Sequence, residues 1–259
     1  MPRYTRRYPF THIAGFNPSR AIAAGVIAMS SLWLGAGVAG GQATSPRYPT
    51  AAPAEQYRSK SQADEIALAR SAATPSISDG AEVLVLGDHG YETAVKGSNG
   101  FVCFVERSWA AGLDAPEFWN PKLRAPNCFN ATAARTQLPQ YLTRTEWALA
   151  GASRQAIIDR TRSAFANHTF KSPEPGALTY MLSKSGYLGD AAAGPWLPHM
   201  MFFVPDGETG TWGACEERLP VICHRGGELE STVFLIPVWA WSDGSPALPP
   251  AAAHAQKKR

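Results

Sequence analysis

An uncharged run near the amino terminus, AIAAGVIAMSSLWLGAGVA over residues 21–39, sets the first constraint. Arg3, Arg6, Arg7 and Arg20 precede it, and no Asp or Glu occurs before residue 44. A basic head, a short apolar stretch and small residues after it have the form of a secretory signal. Gly41-Gln42-Ala43 supplies the small-x-small site, so cleavage is expected after Ala43. The remainder would then fold in the periplasm or outside the cell. An uncleaved anchor is the rival, because the run approaches the roughly 20 residues that span a bilayer. Its Ala, Gly and Ser content inserts weakly and favours cleavage. The Ala-rich style points to a bacterial chain.

Setting the leader aside changes the charge balance. From residue 44 onward 20 basic side chains face 21 acidic ones. No basic stripe remains to neutralise a phosphate backbone, so nucleic acid is not an expected partner. No membrane attachment is expected after cleavage. Residues 44–63 are rich in Pro and Ala and read as a linker. Residues 245–259 read as a disordered Pro/Ala/Lys tail. Residues 64–244 between them are the size of one domain. Eight Trp and eleven Phe suffice to fill a core.

Within that domain, residues 63–73 suit a short helix. Residues 82–87 (EVLVLG), 91–96 and 101–107 (FVCFVER) read as three strands joined by tight turns, an antiparallel meander. FVCFVER is apolar on both faces and is expected to be central. Residues 108–130, with three prolines, read as an irregular connection. Helical spacing follows over 131–150, split at Pro139, and a second helix is expected after a Ser153 cap. Strands are then expected over 177–183, 200–204, 221–224 and 232–241, with Pro237 marking a bulge or an edge. The expected fold is α+β: a mainly antiparallel sheet with two or three helices packed on one face.

Cys103, Cys128, Cys215 and Cys223 all follow the leader. An even number in an oxidising compartment favours disulfides. Three pairings are open, and the local one joins Cys103 to Cys128 and Cys215 to Cys223. A metal site built from Cys215, Cys223 and His224, with His199 as a further candidate ligand, is the functional rival. Their C-x7-C-H spacing matches none of the usual zinc knuckles. No metal and no cofactor are expected.

Candidate chemistry is sparse. His89 sits in the turn GDHGYE beside Asp88 and near Glu92, and a neighbouring carboxylate can orient a histidine and raise its basicity. Asp88, His89 and Gly90 are equally ordinary turn formers, and that is the favoured reading. His199 follows a Gly/Ala-rich stretch that also holds Asp190 and Trp196, the makings of a pocket rim. A loop histidine bonded to a carbonyl is the favoured alternative. Trp196 and Trp241 are the candidate binding residues, with Trp239 on the same strand face as Trp241. From residue 44 onward the chain has no G-x-S-x-G, HExxH, Walker or G-x-G-x-x-G motif.

The stretches HGYETAVKGSNGFVCFVERSW, EFWNPKLRAPNCFN, EPGALTYMLSKSGYLGD and WLPHMMFFVP together resemble a group of exported bacterial proteins without an assigned activity. The resemblance spans about residues 64–244 and carries over no catalytic residue. The expectation is therefore a periplasmic or secreted binding or accessory domain without catalysis of its own. A hydrolase using a His and a carboxylate is the second reading, and a metal-binding protein is the third.

Overall fold

The computed structural model describes residues 47–110, 113, 115–190, 197–205, 222–225 and 231–247; over 222–225 and 231–232 it describes the backbone alone. Eight strands form one sheet in the order β2-β1-β3-β4-β5-β6-β8-β7. They are β1 (Glu82–Leu86), β2 (Tyr91–Val95), β3 (Val102–Glu106), β4 (Ala125–Phe129), β5 (Leu178–Met181), β6 (His199–Pro205), β7 (Ile222–Arg225) and β8 (Ser231–Pro237). The helices are α1 (Gln62–Arg70), α2 (Pro75–Ser78), α3 (Ala131–Thr136), α4 (Leu138–Leu149) and α5 (Arg154–Ala166). The architecture is α+β with a mainly antiparallel sheet, as the order of elements implied.

β3 is the keystone of the sheet. All five of its residues are buried, as its two apolar faces require. That demand overrides the expected meander. β2 pairs with β1, but β3 lies on the other side of β1 and runs parallel to it. The connection crosses the start of β1, where Glu82 N donates to Phe101 O at 2.8 Å and Ser98 N to Gly80 O at 2.8 Å. Gly97 permits the crossing: a Cβ there would lie 2.3 Å from the Glu82 nitrogen.

Residues 108–130 are not the wholly irregular connection that their prolines suggest. This connection contains β4, which pairs antiparallel with the whole of β3. Pro126 concealed it, because proline donates nothing to a ladder and is unusual inside a sheet. The Cys103–Cys128 disulfide joins directly opposed residues of the two strands. Closing a 25-residue separation stabilises by about 3 kcal/mol on the chain-entropy account.

Each face of the sheet has its own cover. On one face α1 and the turn after it bring Ala69, Ala72 and Ala73 onto Val83, Cys103, Val105 and Cys128. These small side chains let the helical segment lie close to the disulfide. On the other face Leu138, Tyr141 and Ala148 of α4 and Ile157 of α5 pack on Leu84, Val102, Phe104 and Phe129. The Phe129 ring meets Phe104, Tyr141 and Phe203 edge-on, at centroid distances of 5.1, 5.3 and 5.6 Å. Pro139 does divide the helical stretch: α3 ends at Thr136, and the proline falls in the first turn of α4. Ser153 caps α5 by accepting from Ala156 N at 3.2 Å.

Part of the expected linker belongs to the fold. Tyr57 is 2% exposed and donates from its hydroxyl to Trp119 O at 3.0 Å. Arg107, fully buried after β3, donates through Nε to Tyr57 O at 2.7 Å. Its Nη2 reaches both Glu65 oxygens, at 2.7 and 2.8 Å. This bidentate pair ties α1, β3 and the segment before α1 together. Removing one partner strands the other charge in a buried site. Glu65→Ala should therefore lower the unfolding free energy by about 3–5 kcal/mol, read from urea denaturation. The paired change Glu65→Met with Arg107→Met should cost far less. A Glu65→Ala loss under about 1 kcal/mol would contradict this role.

Candidate functional site

β1, β3 and β5 end where β4 and β6 begin, so their loops gather at one end of the sheet. His89, Arg107, Arg124, Asp190 and His199 all belong to elements at that end. His89 and His199 do not converge. β3, β4 and β5 stand between β1 and β6, which at about 4.8 Å per strand puts His89 and His199 roughly 19 Å apart. The single His-based cleft required by the hydrolase reading is absent among the described residues.

Each candidate has a local occupation. His89 is exposed in the β1–β2 turn, which Gly87 N closes onto Gly90 O at 2.8 Å. Asp88 pairs with Arg58, and Glu92 is exposed on the edge strand β2. Asp190 is the centre of a surface clasp. It accepts from the Tyr48 and Tyr187 hydroxyls and lies 3.1 Å from Arg47 Nε and 3.6 Å from Lys122 Nζ. These partners hold its carboxyl down at about 2, the two tyrosine hydrogen bonds contributing most. The backbone takes part as well, since Asp190 N donates to Glu117 Oε2 at 3.1 Å.

His199 is 7% exposed and bonds through Nδ1 to Leu197 O at 2.8 Å. The carbonyl makes Nδ1 the donor, and burial pushes the imidazole below its ordinary range. Trp241 is half-buried. β8 ends at Pro237, and Trp239 and Trp241 lie on the hairpin beyond it. That hairpin is held by Trp241 N to Ser245 O and Ala247 N to Trp239 O, each at 2.9 Å. It therefore includes the start of the expected tail. Trp196 and Cys215 lie outside the described residues, as do the side chains of Cys223 and His224 on β7. The second disulfide and the Cys/His metal set fall there with them. Among the described residues no group of three or more His, Cys, Asp or Glu is placed to hold a metal.

The largest departure from ordinary surface chemistry is a buried polar layer between the sheet and α4. Glu106, at the end of β3, is 4% exposed and receives Asn127 Nδ2 at 2.7 Å. Thr179 Oγ1 in turn donates to Asn127 Oδ1 at 3.2 Å. Burial pushes the Glu106 carboxyl up to about 8, against the pull of the Asn127 bond and the Arg144 charge. Arg144 on α4 is fully buried and is lowered to about 10 by the same desolvation. Its Nε donates to Thr161 Oγ1 at 3.2 Å, Nη1 to Ala110 O at 3.0 Å and Nη2 to Gln140 Oε1 at 3.0 Å. The sequence did hold one sign of this layer. Glu106 continues the Val102, Phe104 alternation and so places an acid on an apolar face of the central strand.

Comparison with protein-family models, characterised proteins and solved structures finds no match.

The His199 environment has a stability consequence. Its folded pKa lies below the unfolded value near 6.5. The stabilisation of the neutral ring is complete above that value and is lost as pH falls through the folded pKa. His199→Gln should remove a slope of up to about 1.4 kcal/mol per pH unit just below pH 6.5. Denaturant titrations of both proteins across that window check this, and parallel profiles would contradict it.

Proposed function

We propose that this chain is exported and acts in the periplasm or outside the cell as a binding or accessory domain without catalysis of its own. Export rests on the basic and apolar leader and on the disulfide at the centre of the sheet, a bond that persists in oxidising compartments. Among the described residues no helix is long and apolar enough to cross a membrane. The resemblance to exported bacterial proteins without an assigned activity agrees with this reading.

One observation carries the binding role. Large hydrophobic side chains that stand out from the described surface cluster in the chain: Leu188 and Leu197 lie between β5 and β6, and Ile236 and Trp239 lie on and just after β8, the strand beside β6. Trp239 is 74% exposed on a hairpin fixed by backbone bonds. A rigid projecting indole offers a large contact area at little cost in conformational entropy. The hydrolase reading lacks comparable support, since Asp190 and His199 are separately engaged and His89 stands exposed in the β1–β2 turn.

Intact mass from an exporting host tests the first half. The expected chain begins at Thr44 and gains about four hydrogens on reduction, as two disulfides require. A full-length chain with free thiols would overturn export. Fluorescence titration against a panel of soluble oligosaccharides and small apolar ligands tests the second half. Trp239→Ala should weaken any ligand found by about tenfold or more. Unchanged affinity would remove this surface from the account.

A further inference from the structure

The buried Glu106 carboxyl faces the underside of α4 with few polar partners. Among the described residues Asn127 is the carboxyl's one hydrogen-bond donor, on Oε2. A buried carboxylate needs more donors than this, whereas a neutral carboxylic acid does not. The nearest countercharge is Arg144, which forms no direct ion pair with Glu106. Each of its three nitrogens makes one bond, to Thr161 on α5, to the Ala110 carbonyl in the turn after β3, and to Gln140 on its own helix.

Other groups facing this site offer little compensation. Tyr141 from α4 packs on Phe104 and Phe129 and is pushed up by burial, with the Glu106 charge adding to the shift. Tyr91 from β2 donates to Val105 O at 2.7 Å. Arg107 and Glu65 beyond it satisfy each other, and Arg124 is turned to the carbonyls of Pro121, Leu123, Gln56 and Arg58. From β4 and β5 come Asn127 and Thr179, which carry no charge. Arg144 is thus the cation available to an ionised Glu106.

We propose that Glu106 and Arg144 form a pH-operated latch between β3 and α4. With Glu106 neutral, Arg144 holds α4 to α5 and to the turn at 107–110. Loss of the Glu106 proton to solvent leaves a buried anion, and Arg144 turns to pair with it. That turn gives up the Ala110 carbonyl, so α4 exchanges its hold on the turn at 107–110 for one on β3. Trp109 sits in the released turn and donates from Nε1 to Thr145 Oγ1 of α4 at 2.9 Å, so its fluorescence reports the change.

The protonation has a definite pH sense. The folded pKa near 8 lies above the unfolded value of 4.5. Stabilisation from the retained proton is therefore complete below 4.5 and is lost as pH rises through about 8.

The test is a pH titration of protein carrying ¹³C at the glutamate side-chain carboxyls, followed by NMR, with tryptophan fluorescence on the same samples. One carboxyl should titrate near pH 8, with a fluorescence change of the same midpoint, and both should vanish in Glu106→Gln. Arg144→Gln should move the midpoint up by about one pH unit or more, because the cation that favours the anion is gone. The wild-type titration decides the matter even if a variant fails to fold. If every glutamate carboxyl ionises below about pH 6, the protonated state is wrong. If one titrates near 8 with no fluorescence change, the latch is wrong.

Discussion

The structure depends on one strand being buried on both faces. Val102, Cys103, Phe104, Val105 and Glu106 are all inaccessible, so each face of β3 needs its own cover. Alanines of α1 and the turn after it supply one cover, with the disulfide beneath them. Aromatic and aliphatic residues of α4 and α5 supply the other. The parallel β1–β3 pairing and the tight crossing at Gly97 follow from the same demand. A strand with two apolar faces is stable only inside a sheet, so the edge position falls to β2, with exposed Glu92 and Thr93.

The same constraint makes Glu106 unusual. The alternation that buries Val102 and Phe104 against α4 carries the acid inward as well. Its neighbours answer with neutral groups, Asn127 and Thr179, and with a cation already engaged elsewhere. Charge at this end of the domain thus falls into two kinds. The Asp190 clasp and the Arg58–Asp88 pair lie near solvent and close loops. The Glu65–Arg107 pair and the Glu106–Arg144 layer lie inside and join helices to the sheet. Surface pairs of the first kind contribute little each, whereas the inner groups are costly to disturb.

Much of the fold was legible because it was written in periodicity. FVCFVER identified the central strand, the 3.6-residue spacing around Tyr141 and Ile157 identified α4 and α5, and Pro139 and Ser153 marked helix starts. β4 was hidden by Pro126 and by the prolines before it, which read locally as loop. The parallel placement of β3 was hidden because tight turns suggest a meander, whereas a tertiary demand decides which neighbour a strand takes. The candidate site was less legible. Motif-like clusters such as GDHGYE report local turn chemistry. The buried layer joins Glu106, Asn127, Arg144 and Thr179 from four elements, and no local pattern connects them. Trp239 was visible as an aromatic, but its exposure depends on β8 ending at Pro237.

Native-state hydrogen exchange addresses the central role of β3 most directly. The amides of Val102–Glu106, with those of β4 opposite, should exchange only through global unfolding, with an opening free energy equal to that from denaturant titration. Amides of β2 and of the hairpin after β8 should exchange through smaller openings. If the β3 amides exchange ahead of those in α5 or β6, the sheet is not organised around this strand, and the account built on it fails.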